Sequence, residues 1–286
     1  FVDADTCPVV SIVKKCKKAV ADLGRILLVH KHQNSVIITK APWKMDAENY
    51  IYHKEAITMD FYKRALELKD ETVADRRYIH QNAETGLELP KTKAYVMDKL
   101  KEYGMDPVEC GEGVTATLGN GGRVLLLRAD MDGLPMPEES GEAFACPTGK
   151  TAHTCGHDFH AAMLLTAAKM LKENESELEG TVKFMFQPAE ENFLGSKNMI
   201  ENGILENPKV DAALAYHVSP GKMPVGLFMY NDKGTMMYSV DGFKITVKGK
   251  GSHGAYPHAG VDPINIGVHI HLALQELIAR ETDPAH

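Results

Sequence analysis

The chain has 286 residues, 44% apolar and 25% charged, a composition that excludes a disordered or fibrous protein and allows two domains with ordinary cores. A net charge of -7 disfavours nucleic acid as the main partner, and the apolar runs are far shorter than the roughly 20 residues that cross a bilayer. Five unevenly spaced cysteines favour a reducing compartment over a disulfide framework, and we expect a cytoplasmic location.

The first 44 residues differ in charge from the rest of the chain. They hold eight Lys or Arg against three Asp or Glu, although the chain as a whole is acidic. The apolar stretch 26–29 is too short for the core of a signal peptide. We therefore expect residues 1–55 to be an extension whose status the sequence leaves open, with Met45 or Met59 as candidate starts of the protein proper.

Helices and strands become predictable from about residue 56. Apolar residues recur at helical spacing in two segments, 57–68 and 92–100. Two apolar runs, 114–118 and 124–127, then flank the sequence Gly119-Asn120-Gly121-Gly122. Glycines of this kind favour a hairpin turn, and no Lys-Ser/Thr follows them as a phosphate-binding loop would require.

Further along the chain, helical and strand patterns alternate. A helix is predicted over 161–171, a strand over 182–186, a helix over 196–200 and a strand over 212–215. This order predicts an α/β catalytic domain over residues 56–222, layered around a mostly parallel sheet. In such sheets, binding sites form at the carboxyl ends of the strands.

The sequence changes character after residue 222. Apolar segments at 225–229 and 240–247 precede a long helical pattern over 264–278. We expect residues 223–286 to form part of a smaller α+β lid domain that is inserted into the catalytic domain.

Carboxylates and an imidazole follow three of the predicted strands. They are, in chain order, Asp130 with Asp132, Glu190 with Glu191, and His217. Because the carboxyl ends of parallel strands meet at one edge of a sheet, we expect these side chains to lie close together.

Four possible ligands or ligand supports stand within eight residues at the start of the helix that follows the second predicted strand: His153, Cys155, His157 and His160. Cys155 and His157 can turn towards a common centre because the glycine between them lets the backbone bend sharply. Thiolate, imidazole and carboxylate together suit zinc, with manganese, cobalt or nickel as alternatives. His153 and His160 remain ambiguous, since they can equally support the ligands through hydrogen bonds.

Each of these residues also has an ordinary structural explanation. An isolated Cys155 is typical of a small buried side chain, an isolated His217 of a core histidine, and Glu190-Glu191 of a solvated pair. Their joint occurrence at successive strand ends favours a catalytic metal site. A structural zinc module stays open as an alternative, although closed structural sites rarely contain a Glu-Glu pair or only one cysteine.

Four motifs occur in order: Arg128–Pro135 (RADMDGLP), His153–Asp158 (HTCGHD), Pro188–Glu191 (PAEE) and Gly251–His258 (GSHGAYPH). Together they resemble the amidohydrolases of metallopeptidase family twenty, in the branch of aminoacylases, hippurate hydrolases and auxin-conjugate hydrolases. The similarity runs from about Arg76 to the last residue. It implies a metal-dependent amidohydrolase that cleaves the amide bond of N-acyl amino acids, with a dipeptidase or exopeptidase as the alternative.

The resemblance also implies a role for each site residue. Cys155, His157, Glu191 and His217 correspond to the ligands of two divalent metal ions, and Glu190 corresponds to the general base. Glu190 would take a proton from the attacking water and deliver it to the leaving amine.

Further positions depend on the same resemblance. Asp130 stands where the wider family carries a metal-binding His, so we expect Asp132 to support a ligand. His253 is expected to donate a hydrogen bond to the oxyanion. In the family the lid mediates dimerisation, and the matching His reaches the partner's active site, which implies a homodimer acting on a small N-acyl amino acid or dipeptide. Phe159 replaces a glycine that is usual in this branch, which predicts a different pocket wall.

Family members continue past the lid helix into the catalytic domain, where a further His completes the metal site. No residue up to His286 is assigned to that ligand. We therefore expect the 286-residue chain by itself to have an incomplete metal centre and exposed apolar edges, and to be an inactive fragment.

Overall fold

The computed structural model describes residues 27–32, 35–40, 60–221, 227–229 and 242–281. The chain divides into two compact units, unit 1 (Phe1–Tyr230) and unit 2 (Asn231–His286). The expected domain boundary between residues 222 and 223 stays a prediction, because the chain is not described there. None of the described helices is long and apolar enough to span a membrane.

Part of the expected N-terminal extension forms a pair of strands. β1 (Leu27–His32) and β2 (Ser35–Lys40) pair in antiparallel orientation. Both candidate start residues, Met45 and Met59, lie outside the described residues. The status of residues 1–55 therefore stays a prediction.

Three helices lie between residues 60 and 102: α1 (Phe61–Glu67), α2 (Lys69–Gln81) and α3 (Pro90–Glu102). α1 begins at Asp60, whose carboxylate accepts hydrogen bonds from two backbone N–H groups of the first turn. α3 confirms the helix expected around residues 92–100. α2 was not predicted, because its buried residues are mainly polar and give no apolar stripe.

A five-stranded sheet forms the centre of unit 1. Its strands are β3 (Val108–Cys110), β4 (Gly113–Gly119), β5 (Val124–Asp130), β6 (Thr181–Gln187) and β7 (Ala212–Ala215). The order is β3-β4-β6-β5-β7, in which β5 runs parallel to β6 and β7, while β4 is antiparallel to β3 and β6. The α/β class is confirmed, with a mixed sheet whose three parallel strands are those that precede the predicted site residues.

The hairpin expected between β4 and β5 is wrong, because β6 lies between these two strands. The glycine turn instead crosses the start of β6, where a Cβ on Gly119 would approach the Gly180 carbonyl oxygen to 2.2 Å. Gly119, Gly121 and Gly122 all have positive φ, so the turn chemistry was predicted correctly and the strand pairing was not.

Helices cover both faces of the sheet. α4 (His157–Lys172) packs on β5 and α2, and it is buried along most of its length. On the other face, α5 (Gly195–Glu201) contributes Met199 to a smaller cluster with Leu126 and Met185. Because side chains alternate along a strand, Leu125 and Leu127 join the main core while Leu126 faces α5.

Unit 2 contains one long helix in its described part. α6 (Pro263–Glu281) confirms the helix expected over 264–278, and a single bridge pairs Lys250 with Val261. Within the described residues 242–249 there is no regular strand, so the β part of the expected lid is not present there.

Candidate metal centre

Three parallel strands end at the same edge of the sheet. Asp130 at the end of β5 pairs with Gln187 at the end of β6, and Ala215 at the end of β7 pairs with Arg128. The loops that leave this edge carry the predicted residues Asp132, Glu190, Glu191 and His217. The sheet topology thus explains why residues far apart in sequence meet here.

α4 begins at this edge after a turn that only glycine fits. Gly156 has a φ of 86°, and a Cβ there would lie 2.4 Å from Cγ2 of Val218. This left-handed turn separates Cys155 from His157 and lets both side chains face the strand ends.

His157 is fully buried, and its two ring nitrogens have different surroundings. Nδ1 donates a hydrogen bond to Oδ1 of Asp132 over 3.2 Å, whereas Nε2 has no hydrogen-bond partner. Nε2 lies 3.8 Å from Oε1 of Glu191 and 3.9 Å from Oε2 of Glu190. The Asp132 contact fixes the proton on Nδ1 and leaves Nε2 free to bind a metal ion.

The electrostatics around His157 also favour a cation. Burial lowers the pKa of His157, but the hydrogen bond to Asp132 and the nearby charges of Asp130 and Glu191 outweigh it and raise the pKa. Surroundings that stabilise a positive charge on a buried imidazole equally attract a divalent cation.

Cys155 and His217 form the second half of the centre. Sγ of Cys155 lies 3.3 Å from Nε2 of His217, whose Nδ1 donates to the carbonyl oxygen of Val218. Burial and the charge of Glu191 raise the pKa of Cys155 to about 12. A cation between these groups would reverse that effect and stabilise the thiolate.

Asp132 supports two of the predicted ligands at once. Besides its contact with His157, it accepts through Oδ2 a hydrogen bond from the backbone N–H of Glu191. Oε1 of Glu191 is buried and has no hydrogen-bond partner. Two orphaned buried atoms, His157 Nε2 and Glu191 Oε1, therefore lie side by side, as the residues of a metal site would.

The loop that carries both glutamates is tightly closed. Ala189 and Phe193 have positive φ values of 50° and 62°, which are unfavourable for side-chain-bearing residues. A Cβ on Gly195 would lie only 1.6 Å from the Pro188 carbonyl oxygen, so the loop closes only with glycine there. Such strain is common where a backbone must hold functional side chains in place.

Three groups of side chains in the described part of the chain could hold a metal ion, each with ligand atoms within 4.8 Å of one another. They are Cys155 with His157 and His217, His157 with Glu190 and Glu191, and Asp130 with His157 and His160. The four residues predicted as ligands, and the predicted base, all occur in the first two groups.

The third group is a hydrogen-bonded support. Nε2 of His160 accepts from the backbone N–H of Val218 over 2.9 Å, so its proton must be on Nδ1, which donates to Asp130. Burial opposes ionisation of Asp130, but His160 and Arg128 outweigh it and hold the pKa of Asp130 at about 2. No lone pair of His160 remains for a metal ion.

His153 has no contact that gives it a comparable role. It is 5% exposed, and neither ring nitrogen has a hydrogen-bond partner within the described structure. Burial lowers its pKa to about 4, which keeps the ring neutral. His153 belongs to none of the three possible ligand groups.

Sequence reasoning missed a buried ionic network beside the centre. Arg76 and His80 on α2 both contact Asp158, at 2.6 Å and 2.8 Å, and His80 also contacts Glu138 at 2.9 Å. Arg76 and His80 are four residues apart and therefore share one helix face. That spacing could have indicated the network in advance, but a search for apolar periodicity does not detect charged residues.

His253 lies in the described part of unit 2. Its side chain is exposed, and Nδ1 accepts a hydrogen bond from the backbone N–H of Ala255 over 3.1 Å. In the neutral ring this leaves the proton on Nε2, where it is available to a hydrogen-bond acceptor.

The family model described as peptidase family M20/M25/M40 matches residues 126–276. The chain is 38% identical over 221 residues to an N-acetyl-L-cysteine deacetylase of Bacillus subtilis, covering 76% of this chain and 52% of the relative. It is 38% identical over 232 residues to a hippurate hydrolase of Campylobacter jejuni, covering 79% and 59%. The chain thus spans about half the length of these curated relatives.

A solved structure shows the same architecture. It is a dinuclear metal binding peptidase of the M20 family from Bacillus subtilis, matched with a TM-score of 0.52 and 33% identity. The match covers 54% of this chain and 44% of that one.

Proposed function

The chain belongs to peptidase family M20/M25/M40, and on that premise we propose that it carries the metal-binding edge of an amidohydrolase that cleaves N-acyl amino acids. The observation that carries the proposal is the pair of orphaned buried atoms, His157 Nε2 and Glu191 Oε1, beside Cys155 and His217. The names of the two curated relatives, a deacetylase of N-acetyl-L-cysteine and a hydrolase of hippurate, support this substrate class.

Cys155, His157, Glu191 and His217 would hold two divalent metal ions. Thiolate, imidazole and carboxylate donors suit zinc, and manganese, cobalt or nickel fit the same mixed set. Such ions acidify a water molecule and polarise the amide carbonyl. The solved relative that is described as dinuclear supports a pair of ions.

Glu190 serves as the general base. Its carboxylate side chain is 32% exposed and Oε2 lies 3.9 Å from Nε2 of His157, so it is open to water and next to the ligands. Adjacent side chains diverge, which lets Glu191 face the metal while Glu190 faces the attacking water. Glu190 takes the proton of that water and passes it to the leaving amine.

His253 donates a hydrogen bond to the oxyanion through Nε2. Its bond from the Ala255 N–H supports this role because it holds the neutral ring in the tautomer that donates through Nε2. In the homodimer that we propose, the donor comes from the lid of the partner subunit.

Exposed apolar side chains that are close in sequence to the site residues favour an apolar acyl group. The side chains of Phe193, Met136 and Phe159 are 64%, 42% and 38% exposed. Phe193 donates its backbone N–H to the Glu190 carbonyl, and the sulfur of Met136 accepts a hydrogen bond from the hydroxyl of Thr154. Exposed apolar groups next to a polar centre are typical of small-molecule sites.

A cytoplasmic location is part of the proposal and depends on the cysteine pattern. Cys110, Cys146 and Cys155 are free thiols among the described residues. Cell fractionation tests this, and recovery of the protein outside the cell would contradict it.

Replacing Glu190 with Gln tests the function directly. In the longest natural form of the protein, we expect Glu190→Gln to lower the turnover of hippurate and N-acetyl-methionine by about 100- to 10,000-fold, because the base is lost. Bound metal, measured by elemental analysis, should be unchanged. The matched control is Glu201→Gln, whose carboxylate is 63% exposed on α5.

Two results would contradict the proposal. Full activity of Glu190→Gln would remove its role as the base. Preferential cleavage of dipeptides over N-acyl amino acids by the parent protein would instead identify a dipeptidase with the same metal chemistry.

A further inference from the structure

His80 lies between two carboxylates at the side of the metal centre. Nδ1 lies 2.8 Å from Oδ2 of Asp158, and Nε2 lies 2.9 Å from Oε1 of Glu138. All three side chains are buried, with exposed fractions of 8%, 0% and 6%. We call His80, Asp158, Glu138 and Arg76 the bracing network.

The charges of this network balance. The two nearest partners of His80 are carboxylates, which only accept, so both ring nitrogens donate and the ring is an imidazolium. Nη2 of Arg76 lies farther away, 3.5 Å from Nδ1. Arg76 donates through Nε to the same oxygen of Asp158, over 2.6 Å. Two cations therefore face two anions, which is the condition under which buried charges are tolerated.

The network joins an irregular segment to the sheet edge. Glu138 lies in residues 135–151, a segment without helix or strand that is closed at its base by the bridge between Leu134 and Ala152. The Glu138 carboxylate also accepts hydrogen bonds from the backbone N–H of Cys146 and the hydroxyl of Ser140. His80 thus connects α2, this segment and Asp158.

Asp158 lies in the first turn of α4, directly after His157. No side chain caps this end of the helix, because its N-cap residue is Gly156. An uncapped first turn leaves backbone N–H groups without partners and is weakly held by itself. The side chain of Asp158 therefore supplies the contacts that fix the turn from which His157 projects.

We propose that His80 is a positioning residue for metal binding, which holds Asp158 so that Nε2 of His157 stays aimed at the metal ligands. The inference rests on the proposed function, in which His157 is a ligand. It assigns a role to His80 that acts through the backbone of α4, while Asp132 acts on the imidazole itself.

The other end of α4 offers a matched comparison. Arg64 on α1 donates to both oxygens of Glu173, at 2.8 Å and 2.6 Å, and so ties α1 to the C-terminal end of the same helix. The contacts of this ion pair are as short as those of the bracing network, although its two side chains are 28% and 29% exposed. The pair lies at the opposite end of α4 from His157. If the bracing network only stabilised the fold, its loss and the loss of the Arg64–Glu173 pair would affect metal binding equally.

The test compares His80→Gln and Glu138→Gln with Arg64→Gln in the longest natural form of the protein. Zinc affinity is measured by competition with a chromogenic chelator, the cobalt absorption spectrum reports ligand geometry, and thermal unfolding reports stability. We expect the first two variants to bind zinc about 10- to 100-fold more weakly and to change the cobalt spectrum. Arg64→Gln should lower stability and leave affinity and spectrum unchanged.

Unchanged zinc affinity in folded His80→Gln would overturn the inference. If His80→Gln does not fold, Glu138→Gln decides the question, and an unchanged affinity there overturns it equally. Absence of metal binding in the parent form of this longest protein would contradict the proposed function, whereas normal binding by the parent and by His80→Gln would contradict only the role of His80.

Discussion

The metal edge of unit 1 and the described part of unit 2 differ in how their histidines are held. His157 is fully buried and His217 contacts Cys155, and each donates Nδ1–H to a fixed acceptor. His253 is exposed and held by one local hydrogen bond, on a unit whose apolar side chains reach 77% exposure at Ile264. The difference teaches that the candidate ligands are held in place within unit 1, whereas the role proposed for His253 depends on a further surface.

Among the substitutions that test this difference between the two units, His253→Ala should have the largest effect. Loss of the proposed oxyanion donor should lower kcat by about 100- to 1,000-fold in the longest natural form of the protein, because such a donor acts on charge that develops in the transition state. Metal content should not change, since the candidate ligands lie in unit 1.

A mixing experiment sharpens the same prediction. If His253 acts across a dimer, mixing inactive Glu190→Gln with inactive His253→Ala should restore part of the activity, because some mixed dimers contain one intact site. A mixture that stays inactive after verified subunit exchange would place the donor within its own subunit.

Asp132→Asn should have the next largest effect, now on metal binding. The amide can donate where the carboxylate accepted, so it no longer holds both the His157 ring and the Glu191 backbone. We expect zinc affinity to fall about 10- to 100-fold. Isothermal titration of the variant measures this, and parental affinity would show that Asp132 does not orient the ligands.

Phe193→Gly should lower the preference for aromatic acyl groups and raise the stability of the protein. Removal of an exposed ring should lower the preference for benzoyl over acetyl substrates by about tenfold. Glycine tolerates the φ of 62° at this position, so the variant should be more stable by about 1 kcal/mol. Relative kcat/KM values and urea unfolding test the two halves, and an unchanged preference would exclude Phe193 from the acyl site.

The smallest effect concerns pH. Asp158, opposed by burial and aided by Glu138, raises the pKa of His80 above its usual value. Protonated His80 therefore contributes its full stabilisation of the fold below its unfolded pKa of about 6.5. This contribution is lost as pH rises through the higher pKa of the folded protein. Tm should decline over that window, by about 2–4 °C for each kcal/mol lost, and His80→Gln should flatten the decline. An equal decline in the variant would assign it to other groups.

The sequence predicted the site better than the sheet. Glu191 and His217 were placed together because parallel strands expose their carboxyl ends at one edge. Cys155 and His157 were placed beside them because the glycine between them allows a sharp turn at the start of a helix. Strand pairing was harder, since the turn after Gly119 gives no information about β6, which arrives from 60 residues later and separates β4 from β5.

The bracing network escaped prediction for a different reason. Hydrophobic periodicity identifies a helix by its apolar face, but α2 turns Asp75 and His80 inward along with Ile79. Buried charges are recognisable only once their partners are known, and Asp158 and Glu138 come from distant segments. The roles of the site residues stay predictions until metal binding is measured.

The most direct test of the metal centre is a cobalt titration of the chain with two matched cysteine variants. Cobalt bound at the predicted site should give a thiolate-to-metal absorption band that disappears in Cys155→Ser. The band should persist in Cys146→Ser, whose thiol lies among threonine hydroxyls. Cobalt binding without that band, or an identical band in Cys155→Ser, would contradict the account.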